Sequence, residues 1–163
     1  MARRVFFSFH YDNDILRVGQ IRNSGIVLSA GDTAAGFTDS ASWESVKRQG
    51  EGAIKKWIDN ELNGTSVTVV LIGSQTADRQ WVNYEIIESV NRGNGLLGIY
   101  IHNVKDLNGR TDVRGANPFD SVRWDNGKGA PLSSTYPTFD WVVDNGRANL
   151  SSWTEAAAKK AGR

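Results

Sequence analysis

Residues 67–101 read VTVVLIGSQTADRQWVNYEIIESVNRGNGLLGIYI, and this stretch decides the fold. Val67-Thr68-Val69-Val70-Leu71-Ile72 is β-branched and almost wholly apolar, and Gly73-Ser74 ends it. A run without alternation predicts a strand buried on both faces, the habit of a parallel sheet. The period then changes. Val82, Ile86, Ile87 and Val90 predict a helix over 79–92 with an inward apolar face, Thr76 or Asp78 as its cap and Gly93-Asn94-Gly95 as its stop. Leu96 to Ile101 repeats the buried-strand pattern, which completes a strand–helix–strand unit with a right-handed crossover.

The same alternation recurs on either side. Arg3 to Phe9 predicts a first strand, and Asp12 to Asn23 a helix with Ile15, Leu16, Val18 and Ile21 for one face. Ser24 to Ser42 is rich in Gly, Ala, Ser and Thr, with one apolar patch at Ile26-Val27-Leu28, and reads as a long loop with one brief strand. Val46, Ala53, Ile54, Trp57, Ile58 and Leu62 predict one helix over Ser42–Leu62, stopped by Asn63-Gly64. From His102 to Pro137 the periodicity is lost, and a loop of that length is usually functional or disordered rather than filler. Thr138 to Val143 reads as a last, edge strand and Leu150 to Ala161 as a terminal helix capped by Ser151 or Ser152. The expected architecture is a three-layer α/β fold, with a central parallel sheet of four to five strands and helices on both faces.

Composition removes several function classes. Of 163 residues, 39% are apolar and 23% charged, the make-up of an ordinary globular domain. Nineteen Lys+Arg against eighteen Asp+Glu give +1, so no global field drives nucleic-acid binding. Without cysteine there is no disulfide, thiolate zinc site or thiol nucleophile. No apolar stretch is long enough to span a bilayer, and the N-terminus turns polar too soon for a signal peptide. A cytoplasmic protein is expected, with no nucleic-acid or membrane partner.

In parallel α/β sheets ligands gather beyond the carboxyl ends of the strands. Those ends are Ser8-Phe9-His10-Tyr11, Gly73-Ser74-Gln75 and Ile101-His102-Asn103. Neither a Gly-x-Gly-x-x-Gly turn, a Walker lysine nor a Gly-x-Ser-x-Gly elbow is present. His10 and His102 match no metal spacing, so no metal site is expected. The informative segment is the helix. Trp81, Glu85 and Glu88 form one stripe, at intervals of four and three, beside the apolar face of Val82, Ile86 and Val90. A carboxylate there is half-buried, with an indole one turn before it. It is either a surface glutamate beside an anchoring tryptophan or a site carboxylate.

Trp81-Val-Asn-Tyr-Glu85 resembles the Trp-x-x-x-Glu element of TIR domains, with Val82 where the usual pattern has Cys. The likeness extends in order through Val5-Phe-Phe-Ser-Phe-His-Tyr-Asp12, Asp39-Ser-Ala-Ser-Trp43-Glu, the strand 65–73, the segment 93–102 and Gly115-Ala-Asn-Pro-Phe119. Together they resemble the TIR-like family that includes the sensor subunit of the bacterial Thoeris antiphage system. The resemblance implies one flavodoxin-like, TIR-like domain over 1–163, with its core at 3–120 and a loop, edge strand and helix over 121–163.

The same resemblance implies NAD+ as substrate rather than cofactor, cleaved between nicotinamide and ribose, with Glu85 as the catalytic carboxylate. Phe6, Ser8, Phe9, His10, Asp39, Trp43, Trp81 and Asn117 are the expected substrate-binding residues. Phenylalanines on one face of the first strand are core, while Phe9 or His10 at its end contacts the dinucleotide. A cyclic ADP-ribose isomer would be the signal that reaches a separate effector. Self-association of TIR domains and a phage-derived trigger are the other partners implied. The competing reading is a non-enzymatic TIR interaction module, in which Trp81 and Glu85 are structural.

Overall fold

A computed structural model describes residues 3–23, 32–36 and 40–163. Five strands, β1 (Arg4–Phe9), β2 (Thr33–Ala35), β3 (Val67–Ile72), β4 (Gly95–Tyr100) and β5 (Thr138–Asp140), form one sheet in the order β2-β1-β3-β4-β5. Every pairing is parallel. The helices are α1 (Tyr11–Asn23), α2 (Ser40–Arg48), α3 (Glu51–Leu62), α4 (Gln80–Asn91), α5 (Pro118–Ser121), α6 (Trp124–Gly127) and α7 (Gly146–Lys160). From β1 the chain steps outward to β2, and from β3 onward it advances the other way. The crossovers therefore diverge between β1 and β3, where parallel sheets place their ligands.

Both faces of the sheet are dry. On one side Val5, Phe7, Val67, Val69, Leu71, Leu97 and Ile99 meet Val18 and Ile21 of α1 and Leu150 and Ala158 of α7. On the other, Val70, Ile72 and Leu96 pack on Val82 and Ile86 of α4. Beside them Phe6 and Ala35 lie under Ile54, Ile58 and Leu62 of α3. All six residues of β3 and all six of β4 are buried, the reason for their unbroken apolar runs. Among the described residues no helix is long and apolar enough to cross a membrane.

Several expectations are corrected. The single helix over Ser42–Leu62 is two helices, because Gly50 adopts φ 95°, a left-handed geometry that no continuous helix contains. The brief strand is Thr33–Ala35, paired with Arg4–Phe6, whereas the Ile26-Val27-Leu28 patch lies outside the described residues. Neither Thr76 nor Asp78 caps α4. The Thr76 hydroxyl accepts from the Gly73 N–H and donates to the Asp14 carboxylate, and Asp78 turns left-handed at φ 65°. Ile87 and Leu16 face outward, 47% and 57% exposed, since Val82 with Ile86 and Val18 with Ile21 already fill the sheet-facing stripes. The terminal helix begins at Gly146, four residues early, and Ser151 and Ser152 lie inside it.

The segment from His102 to Pro137 is built as much from side-chain-to-backbone bonds as from regular structure. Arg17 of α1 donates to the Val104 and Arg110 carbonyls at 2.8 and 3.0 Å, and Asp106 accepts from the Asn108 and Arg110 N–H groups. Such bonds leave no hydrophobic period to read.

Candidate active site

Beyond the carboxyl end of β1, on the α2–α4 side of the sheet, lies a cavity of about 310 Å³. Its walls come from Phe7, Phe9 and His10 of β1 and its end, Tyr11 and Asp12 of α1, Gly36, Trp43 and Lys47 of α2, Trp57 of α3, and Arg79, Gln80, Trp81, Val82 and Glu85 around the start of α4. Gly36 closes one side at φ +87°, and a Cβ there would collide with the Phe7 carbonyl oxygen. Only glycine lets the chain after β2 lie this close to β1.

Glu85 is the buried end of this cavity. Val82 and Ile86 hold α4 against β3 and β4, which turns the intervening Glu85 toward β1. There it meets Ser8, which shares its face of the strand with Phe6 two residues earlier. The Ser8 hydroxyl donates to Glu85 Oε2. Ser8 is 1% exposed and Glu85 7%. Among the described residues no Lys or Arg pairs with this carboxylate. Burial pushes its pKa up to about 8, and the Ser8 hydrogen bond is the one opposing influence. Behind Glu85, Ser89 donates to the Glu85 carbonyl at 2.6 Å and bonds the Thr68 hydroxyl at 2.7 Å, which fixes this turn of α4 to β3.

A run of rings forms the opposite wall. Phe9 and Tyr11 have centroids 6.0 Å apart, Tyr11 and Trp43 5.7 Å, and Trp43 meets Trp57 edge-on at 5.7 Å. Trp81 stands edge-on to Tyr84 at 6.0 Å, and the Tyr84 hydroxyl donates to Asp59 at 2.9 Å, tying α4 to α3. Such a wall suits a flat heterocycle, and its ring faces suit a cation. At the mouth, Lys47 pairs with Glu44 at 2.8 Å and with Asp12 at 3.5 Å. Burial, then the nearby Arg79 cation, holds His10 below the usual imidazole range.

The structure brings Phe9, His10, Trp43, Trp81 and Glu85 together around the cavity, with Ser8 behind Glu85. It does not bring in Phe6, which is 0% exposed in the core beneath α3. Nor does it bring in Asn117, whose carboxamide accepts from the Phe119 N–H at 3.0 Å and caps α5. Asp39 lies outside the described residues. Of the two histidines, His102 packs edge-on against Tyr100 at 6.0 Å and lines no part of this cavity. Sequence reasoning missed Tyr11, Lys47, Trp57 and Arg79. Trp57 carried a signal, since its stripe on α3 ends in an indole larger than its neighbours. Arg79 carried none.

A strand-end cavity of rings around one buried glutamate frames the comparison with known proteins. The family model described as "Thoeris protein ThsB, TIR-like domain" matches residues 6–106. The chain belongs to this ThsB TIR-like family. The matched span holds β1 from Phe6 onward, β2 to β4 and every residue that lines the cavity. Among curated ThsB-like proteins, the chain is 39% identical to a protein of Bacillus cereus (strain MSX-D12) over an alignment of 191 positions. The alignment covers 94% of this chain and 99% of that relative, which is named "Putative cyclic ADP-D-ribose synthase ThsB1".

Proposed function

We propose that this chain is an enzyme of bacterial antiphage defence that cleaves NAD+ between nicotinamide and ribose and closes the ADP-ribosyl group into a cyclic isomer. The observation that carries the reading is Glu85: a carboxylate buried at the end of an aromatic-lined cavity and, among the described residues, paired with no Lys or Arg. A site of that kind is completed by a flat, positively charged ligand. The oxidised nicotinamide ring is one. Family membership and the activity in the name of the Bacillus relative support the same choice.

The chemistry asks little proton transfer of the protein. Nicotinamide leaves a pyridinium as a neutral base, carrying the electron pair of the broken C–N bond, so no general acid is needed. Positive charge then develops on the ribose, and a carboxylate fixed beside it stabilises that charge. A pyridinium cation near Glu85 favours the ionised carboxylate and draws its pKa down from about 8. Capture of the ribosyl cation by a ring nitrogen of the same molecule forms a new C–N bond and gives a cyclic product. Capture by one of its hydroxyls forms a C–O bond, and the hydroxyl proton leaves to solvent. Water in the same role gives linear ADP-ribose. The aromatic wall works against water and for cyclisation.

The cyclic product is the message to a separate effector, the chain acts in the cytoplasm, and self-association after a phage-derived trigger switches it on. The test follows nicotinamide release and NAD+-derived products by mass spectrometry, in purified protein and in phage-challenged cells. A species isomeric with cyclic ADP-ribose should appear with the wild type and vanish with Glu85→Gln. Linear ADP-ribose alone would make the chain a hydrolase. No NAD+-derived product, with phage protection kept by Glu85→Gln, would make it an interaction module.

A further inference from the structure

The cavity is charged unevenly along its length. Its buried end is the Glu85 carboxylate, and its mouth carries three basic side chains, His10, Lys47 and Arg79. Two of the three are already engaged before a ligand arrives. Lys47 is held by Glu44 and Asp12. His10 is kept toward its neutral form by burial and by Arg79. Arg79 differs from both. It is exposed, and among the described residues it pairs with no carboxylate. Its Nε donates to the Gln75 carbonyl at 2.8 Å and its Nη2 to Gln75 Oε1 at 3.2 Å. Those two bonds fix the plane of the guanidinium and leave Nη1 without a partner among the described residues.

We infer that Arg79 is the anion-reading residue of this site and binds the pyrophosphate of the dinucleotide, so that the cavity orients its substrate by charge, pyridinium inward and phosphates at the mouth. The inference rests on the NAD+ reading above and adds the residue and the subsite. Arg79 precedes the first residue of α4 and Glu85 lies six residues on, about 9 Å at the helical rise. One ribose lies between the pyridinium and the first phosphate, and the C–N bond to be broken then falls between the two charged groups. A planar guanidinium already held on one edge loses little freedom when its other edge meets a phosphate. Lys47 would first have to leave two carboxylates.

Two ligands that each carry half of the charge pattern separate the subsites: ADP-ribose, with the pyrophosphate and no pyridinium, and nicotinamide riboside, with the pyridinium and no phosphate. Binding of each to the full chain is measured by calorimetry, with NAD+ measured on the Glu85→Gln background to avoid turnover. Arg79→Ala should weaken ADP-ribose and NAD+ by about tenfold or more and leave nicotinamide riboside within about twofold. The loss should shrink as salt is raised, and Arg79→Lys should restore part of it. Glu85→Gln should show the reverse pattern, weakening the riboside and sparing ADP-ribose. ADP-ribose bound equally by wild type and Arg79→Ala overturns the assignment. So does an equal loss for both ligands, which would mark a structural role. If wild type binds neither ADP-ribose nor nicotinamide riboside and Glu85→Gln does not bind NAD+, the NAD+ reading itself fails and takes this assignment with it.

Discussion

Ser8→Ala removes the one hydrogen bond that the Glu85 carboxylate receives among the described residues. Burial then acts unopposed on a group whose pKa is already about 8 with Ser8 in place. A hydrogen bond to an ionised group is worth about 1.5–3 kcal/mol, and ~1.4 kcal/mol is one pKa unit. The pKa of Glu85 should therefore rise by about 1–2 units in the variant. Below its pKa a carboxyl loses about tenfold of its ionised form per unit, so kcat/KM at neutral pH should fall about 10- to 100-fold. Above the new pKa most of the activity should return. The assay is nicotinamide release between about pH 6 and about pH 10.5, read as kcat/KM because that ratio reports the free enzyme. Circular dichroism should show the fold intact, since alanine fits the space that serine leaves. An acid limb at the same pH in both proteins would refute the reasoning. Equal losses at every pH would also refute it, because the serine would then be touching substrate rather than setting the charge of Glu85.

Glu85→Gln should lower turnover by on the order of 10²-fold or more while making the fold more stable at alkaline pH. The folded-state pKa of about 8 lies above the ordinary 4.5, so the contribution of Glu85 to stability is fully present below about pH 4.5 and is lost as pH rises through 8. The Tm of the variant should match the wild type near pH 4 and exceed it near pH 9; a gap that does not widen with pH would falsify the burial argument. Trp57→Ala should cost about 1–3 kcal/mol, less than a fully buried tryptophan, because Trp57 is only half-buried. It should also weaken NAD+ binding by removing the edge partner of Trp43, and calorimetry that finds no change would exclude the ring wall from recognition. Gly50→Ala should cost about 1–2 kcal/mol through backbone strain alone, as nothing lies within 4 Å of the added Cβ. Activity per folded molecule should be unaltered, and a rise in Tm would show that Gly50 does not hold the break between α2 and α3.

The parts of the fold legible in the sequence are those where burial on both faces imposes one pattern. β1, β3, β4 and α4 fall within a residue or two of their expected bounds, because Val67–Ile72 and Gly95–Tyr100 meet helices above and below. Legibility fails where the backbone is held by particular polar groups. Asp106 and Arg17 shape the segment after β4 without any period, and the Gly50 break is hidden by apolar residues on both sides that continue the same stripe. The site divides in the same way. Glu85, Trp81, Phe9 and His10 were readable because they end a strand or flank an apolar face. Lys47 and Arg79 were not, since an exposed cation looks alike in sequence whether it faces a cavity or bulk water. Asn117 stands away from the cavity, a polar residue before Pro118 whose Oδ1 caps the turn that follows.

Every side chain lining the cavity lies between Phe7 and Glu85. The rest of the chain, from β4 through α7, supports the sheet without reaching that space. The chemistry proposed for this cavity is thus confined to the stretch from β1 to α4. Substitutions, insertions or a new contact surface along β5 and α7 can accumulate at the far edge with the reacting groups undisturbed.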